Sequence, residues 1–297
     1  MEPSMTARFW GVRGSIPSPG VSTTRYGGNT SCVSLHLPGG RILVFDAGTG
    51  IRELGKALAA GSEEIFIVLS HGHWDHIQGF PFFAPIYQPD REISMFPTFF
   101  GGTVCGMCQR LKAAGDKTMM CPLLGLMDGA HFPVTWEHLP SRTRCITKEE
   151  IDFLRSRGFD ISRIAANHPG GSFGYRVENE GRSFVYLTDN ELEPPYEKAT
   201  DFDGFVKFCW KADVLIHDAQ YVELDMPHKH GWGHSLVRQV CDLASKAAVR
   251  HLILYHHDPD RTDQELDWIQ EDTRRRLAEQ NPEISCTVAF EGLSLAI

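Results

Sequence analysis

Short apolar runs rich in β-branched residues recur along the chain, and each ends at a side chain able to bind a metal or move a proton. Residues 42–45 run into Asp46, 65–69 into His71, 184–187 into Asp189, 214–216 into His217 and Asp218, and 252–255 into His256. Runs this short predict buried strands rather than helices. Strand ends carrying polar residues of these types predict one shared site along a sheet edge. Helical spacing marks 234–244, and Gly48 and Gly50 turn the chain into a second helical stretch over 51–60. From about 80 to 164 the pattern breaks at Pro81, Pro85, Pro89, Pro97, Pro122, Pro133 and Pro140. That stretch is expected to be an inserted cap or loop region within a single domain spanning 1–297.

Composition narrows the class. With 42% hydrophobic and 23% charged residues the chain has the makeup of a folded globular protein. The net charge of −9, with no Lys/Arg cluster, predicts that no long nucleic acid is a partner. No apolar run is long enough to cross a bilayer, so no membrane partner is expected. The opening residues lack a basic stretch followed by an apolar run, which predicts a cytoplasmic protein whose 8 cysteines stay reduced. Cys105, Cys108 and Cys121 could hold a structural zinc with His131 or His138, but their spacing is untidy and plain thiols are the expected state.

His71-Gly72-His73-Trp74-Asp75-His76 sets three imidazoles and a carboxylate within six residues directly after a strand. In an extended segment His71 and His73 point the same way and can grip one ion, while Asp75 and His76 are placed for a second as the chain turns. One motif cannot close two coordination spheres, so further ligands must come from later strand ends, where His168, Asp189 and His256 are the candidates. Imidazole mixed with carboxylate suits two divalent ions, Zn2+ first, with Mn2+ or Fe2+ also compatible.

This run resembles the His-x-His-x-Asp-His signature of the metallo-β-lactamase superfamily. The resemblance implies an α/β fold, the αββα four-layer sandwich. It also implies His71, His73 and His168 on one metal, Asp75, His76 and His256 on the other, and Asp189 bridging. His73, where the di-iron redox branch carries Glu, favours hydrolysis.

The stretch His217-Asp218-Ala219-Gln220-Tyr221, then Gly233-His234-Ser235 and Leu254-Tyr255-His256, is similar to the ribonuclease Z and cyclic-nucleotide phosphodiesterase branch. Carried over, His234 is the general acid that protonates the leaving oxygen and Asp218 orients it, with Asp75 counted both as ligand and as catalytic residue. A metal-bridging hydroxide would be the nucleophile. Asp218 stands where tRNA-processing enzymes carry Glu, and no separate basic arm is present, so the expected substrate is a small nucleotide-type phosphodiester, cyclic or linear. A homodimer is implied by resemblance alone.

Around this centre, Arg13 and Asn29 are candidate phosphate contacts in glycine-rich turns, and His230 and Trp232 are candidate pocket-lining residues, Trp232 by stacking on a base. Asp46 is expected to brace the ligand loop by hydrogen bonding. His217 and His257 are not counted as ligands. Two alternatives stay open: a thioesterase or glyoxalase-II-like ester hydrolase, for which His234 would be dispensable, and a catalytically silent metal-binding sensor or scaffold.

Overall fold

Alternate residues of the strands face two different hydrophobic cores, which is why the runs read as continuously apolar. In the strand Arg41–Phe45, Leu43 and Phe45 enter one core while Ile42 and Val44 enter another. In the strand Arg182–Leu187, Phe184 and Tyr186 enter the first core while Val185 and Leu187 enter a third. The shared core is thus sandwiched between two sheets, and each outer core is closed by helices. The structure, a computed structural model, describes residues 5–96, 122–146 and 150–297. Cys105, Cys108 and Cys121 lie outside these residues, while Cys32, Cys209, Cys241 and Cys286 are buried free thiols.

Among the described residues the first sheet has seven strands. In chain order these are β1 (Thr6–Gly11), β2 (Cys32–Leu37), β3 (Arg41–Phe45), β4 (Glu64–Val68), β5 (Glu92–Phe96) and β6 (Arg142–Cys145), and the final strand (Ser294–Ala296) adds to the edge at β1. The second sheet holds β7 (Asp160–Ala166), β8 (Ser172–Asn179), β9 (Arg182–Leu187), β10 (Val214–Asp218), β11 (His251–Tyr255) and β12 (Ser285–Val288), with spatial order β12-β11-β10-β9-β8-β7. Each sheet starts antiparallel and turns parallel: β3 to β6 run parallel in the first, β9 to β12 in the second. Helix Ile51–Ala57 packs outside the first sheet, and Phe202–Phe208, Val237–Lys246 and Asp263–Gln280 pack outside the second. The result is the αββα sandwich.

The stretch 80–164 supplies β5, β6 and β7 as well as 3-10 turns at Phe80–Phe82 and Ala84–Tyr87, so its proline-rich part is interleaved with sheet strands. Helix Asp263–Gln280 starts at a reciprocal cap between Thr262 and Glu265. Among the described residues no helix is long and apolar enough to cross a membrane.

Between the sheets, Phe45 lies with ring centroids 5.0 Å from Tyr186 and 5.4 Å from Phe184. Three buried tyrosines stitch the layers: Tyr175 donates to the Leu69 carbonyl, Tyr186 to Asp46 and Tyr255 to the Gly11 carbonyl, at 2.9, 2.8 and 2.7 Å. Leu69, Asp46 and Gly11 sit at or beside strand ends, so the stitches hold the two sheets in register where the parallel strands terminate.

Candidate metal centre

Both sheets deliver ligands to that edge. After β4 the chain extends through His71 and His73, then tightens into the 3-10 turn Trp74–His76, which puts Asp75 and His76 on the inner side. From the second sheet come His168 after β7, Asp189 after β9 and His256 after β11. The ligand atoms fall into two groups, each within 4.8 Å: His71, His73, His168 and Asp189, then Asp75, His76, Asp189 and His256. The Asp189 carboxylate belongs to both. Its Oδ2 lies 3.6 Å from Nε2 of His71 and 3.6 Å from Nε2 of His168, and its Oδ1 lies 3.1 Å from Nε2 of His76 and 3.2 Å from Nε2 of His256. Asp75 Oδ2 lies 3.2 Å from both His76 Nε2 and His256 Nε2. The structure therefore brings together all seven residues singled out from the sequence.

Donor chemistry fits divalent cations. Nε2 of His71 and of His76 are buried yet make no hydrogen bond, as expected where each nitrogen is directed at a cation within its own group. Burial keeps the His71 imidazole well below its ordinary pKa, and brings His168 down to about 4, so both present neutral ligand nitrogens. Burial would raise Asp75 and Asp189, but the surrounding imidazoles hold both carboxyls well below the usual range. The Asp189, Asp75 and Asp46 carboxylates in turn hold the His76 imidazole well above its ordinary pKa despite burial, so the centre draws positive charge to itself, which a divalent cation would supply.

In four of the five histidines the other ring nitrogen is pinned. His76 Nδ1 pairs with Asp46 Oδ2 at 2.8 Å, His168 Nδ1 with the Gly233 carbonyl at 2.9 Å, His71 Nδ1 with Ser70 Oγ at 3.0 Å, and His256 Nδ1 with Gln220 Oε1 at 3.2 Å. Such contacts fix ring orientation and tautomer. Asp46 also accepts from the Ser70 amide at 2.7 Å and from Tyr186, the bracing arrangement expected of it. Asp46, Asp189, His256 and Ser15 all take positive φ, 62°, 46°, 61° and 63°. Non-glycine residues rarely adopt this region, and it collects here because the chain must turn sharply at each strand end.

Beside the second group sits His234, whose Nδ1 lies 2.5 Å from Asp218 Oδ2 and whose ring stacks on His256 with centroids 5.0 Å apart. Burial opposes its positive charge, but the Asp218 carboxylate outweighs it and pushes the imidazole up to about 9. His234 lines, with His73, Asp75, His168, Asp189 and His256, a cleft of about 450 Å3.

Other expected contacts are placed elsewhere. Arg13 is fully buried and donates to the carbonyls of Gly27, Asp258 and Arg261 at 2.8, 3.1 and 2.7 Å; its guanidinium ties loops together and cannot reach a substrate. Asn29 is likewise engaged, its amide donating to Glu291 at 2.9 Å. A guanidinium in a glycine-rich turn satisfies several buried carbonyls at once, which the sequence alone cannot distinguish from anion binding. His230 faces the Glu193 carbonyl at 3.0 Å and lines a neighbouring cavity of about 320 Å3. Trp232 does line the metal cleft. His217 pairs with the Asp218 carbonyl and His257 with that of Ala289, both off the centre.

Three residues went unread. Ser15 donates its amide to Asp75 Oδ2 at 2.7 Å, and Gln220 supports His256. Glu191, buried two residues after Asp189, accepts from the Gly231 and Gly233 amides, each at 2.9 Å. The signal for Gln220 was its place two residues beyond Asp218; Glu191 and Ser15 carried none.

Comparison with known proteins identifies a family. The family model of the beta-lactamase superfamily domain matches residues 41–257. The ribonuclease Z of Thermoplasma acidophilum is 32% identical over 310 residues, covering 91% of this chain and 91% of the relative. Two solved structures share the fold: the metallo-beta-lactamase fold protein YhfI from Bacillus subtilis (17% identity, TM-score 0.65, 99% of each chain) and a diphosphatase from the PhnP family (18% identity, TM-score 0.63, 99% of this chain and 98% of the other). Relatives named for ribonuclease action overturn the expectation, drawn from net charge, that long nucleic acid is excluded. A net charge of −9 sums the whole surface, whereas binding at this site answers to a local field that bound cations reverse. The chain belongs to the metallo-β-lactamase superfamily, in its ribonuclease Z branch, and is a metal-dependent hydrolase.

Proposed function

We propose that this hydrolase is a dinuclear phosphodiesterase acting on nucleotide-type phosphodiesters, with Zn2+ as its ion. His71, His73 and His168 would hold one ion and Asp75, His76 and His256 the other, with Asp189 belonging to both ligand groups. Ions bound there supply Lewis acidity toward a phosphoryl oxygen and make a water acidic enough to attack near neutral pH. The chain's own residues do the rest.

The observation that carries the reading is the His234–Asp218 pair on the wall of the same cleft. An alkoxide leaving from phosphorus is strongly basic and gains from a proton delivered as the P–O bond breaks. His234 Nδ1 is committed to Asp218, which leaves Nε2–H as the proton donor and stabilises the charged ring until the proton is delivered. A thiolate needs no such donor. The names of the ribonuclease Z and diphosphatase relatives support cleavage at phosphorus as well.

The test is hydrolysis of bis(p-nitrophenyl) phosphate by zinc-reconstituted protein beside a chelated control, followed by a cyclic nucleotide and an RNA with a 3′ extension. Metal-dependent release of p-nitrophenol is expected, and the last two substrates separate a small from a polymeric phosphodiester. Turnover of a thioester alone, with no phosphodiester cleaved, would overturn the assignment.

A further inference from the structure

Two tryptophans stand at the cleft in solvent. Trp74 is 79% exposed and Trp232 60% exposed, yet both line the cleft that holds the ligand groups and His234. Among the described residues neither indole makes a hydrogen bond or a ring contact. Large apolar side chains left in water beside a reaction centre mark a binding surface.

The backbone under each indole is fixed. Trp74 opens the 3-10 turn between His73 and Asp75, and its carbonyl accepts from the amides of Ile77 and Gln78 at 3.1 and 2.8 Å. Trp232 lies between Gly231 and Gly233, whose amides are both held by the buried Glu191 carboxylate at 2.9 Å, and the Gly233 carbonyl meets His168 Nδ1. Each indole is therefore mounted directly on the support of a metal-ligand candidate. With the backbone held, binding has to order only the indole side chains and not the loops that carry them.

We propose that Trp74 and Trp232 form a stacking subsite for the nucleobase of the substrate, so that the preferred phosphodiester carries a base beside the scissile phosphate. This rests on the phosphodiesterase reading above. Every base has a π-face, so stacking discriminates base-bearing from base-free esters without fixing which base is bound.

The experiment compares two esters with the same leaving group, the p-nitrophenyl ester of thymidine 5′-monophosphate and methyl p-nitrophenyl phosphate. Both are assayed with the zinc-loaded chain, W74A, W232A and the corresponding Phe variants, and binding of thymidine 5′-monophosphate and methyl phosphate is measured by calorimetry. Alanine at either position should raise KM for the thymidine ester at least about fivefold more than for the methyl ester, and Phe should restore most of the difference. Equal changes for both esters, or none, would overturn the subsite. If the wild-type chain cleaves neither ester, the phosphodiesterase reading fails and calorimetry decides separately. Thymidine monophosphate bound at least about fivefold more weakly by the alanine variants keeps the subsite, and equal affinity for the nucleotide and methyl phosphate removes it.

Discussion

His234 Nδ1 and Asp218 Oδ2 lie 2.5 Å apart, in a pair closed off from solvent on the Asp218 side and open to the cleft on the imidazole side. If this pair delivers the proton, its removal must cost most where the leaving group is most basic. H234A is expected to lose on the order of a hundredfold to ten-thousandfold in kcat/KM on an alkyl-leaving phosphodiester, and far less on a p-nitrophenyl ester. A plot of log(kcat/KM) against leaving-group pKa, steeper for the variant than for the wild type, is the measurement. Parallel plots would assign His234 a packing role.

The same pair fixes the sign of the pH response. The acid works protonated, so activity falls as pH rises through the His234 pKa, which Asp218 holds up at about 9. Bound cations work in the opposite direction, placing the alkaline limb of kcat/KM at or below that value. D218N removes the raising charge, and its limb should move to lower pH. A limb that stays in place would show that another group titrates.

How far this site was legible depends on where each side chain gets its meaning. The ligands were legible because His71 to His76 pack their chemistry into one turn, and because His168, Asp189 and His256 follow strand-like runs. Strands β5 and β6 were not, because prolines crowd the same stretch and mask short parallel strands paired with segments well separated in sequence, and β7, an edge strand antiparallel to β8, follows directly on that stretch. Arg13 is a related case: its guanidinium is enclosed by the loop at Gly27 and the 258–261 turn, and nothing local in Gly11–Gly14 encodes that closure. Glu191 was illegible because its partners are backbone amides 40 and 42 residues away.

Asp189 gives a test of the paired clusters. Since each of its oxygens faces a different group of imidazoles, D189A should lower metal content in both, whereas H73A should deplete only the group containing His168. Elemental analysis of the dialysed proteins reads this. With free ion at about a hundred times Kd, chelation should remove roughly 2.7 kcal/mol of stability per site from the wild type, and correspondingly less from D189A.

Arg13 should behave as a structural residue. R13A leaves three buried carbonyls without their donor, a loss on the order of 2–4 kcal/mol in urea unfolding. KM for a phosphodiester, measured on the folded fraction, should shift little. A large KM increase at unchanged stability would return Arg13 to the substrate.

Glycines of the Trp232 loop separate strain from collision. Gly231 and Gly233 take φ of +89° and +92°, so alanine is strained at both. At Gly233, however, a Cβ would also stand 2.2 Å from His168 Nδ1, against 3.0 Å from a Pro195 ring carbon at Gly231. G231A should cost about 1 kcal/mol, while G233A should cost more and reduce metal content as well. Equal metal content in the two variants would mean that His168 is held by something other than this loop.

That Asp189, His168 and His256 come from one sheet and His71 to His76 from the other gives ion uptake a place in the order of folding. Residues separated by up to 181 positions, as Asp75 and His256 are, must meet before the ligand groups are complete, and contacts of such long range form late. A half-folded chain with one sheet formed holds only part of each ligand set and binds ions weakly. Uptake of metal would thus be a clock for the moment the two halves dock, and ions bound there would act as a latch on the seam, slowing its opening more than the fraying of either sheet.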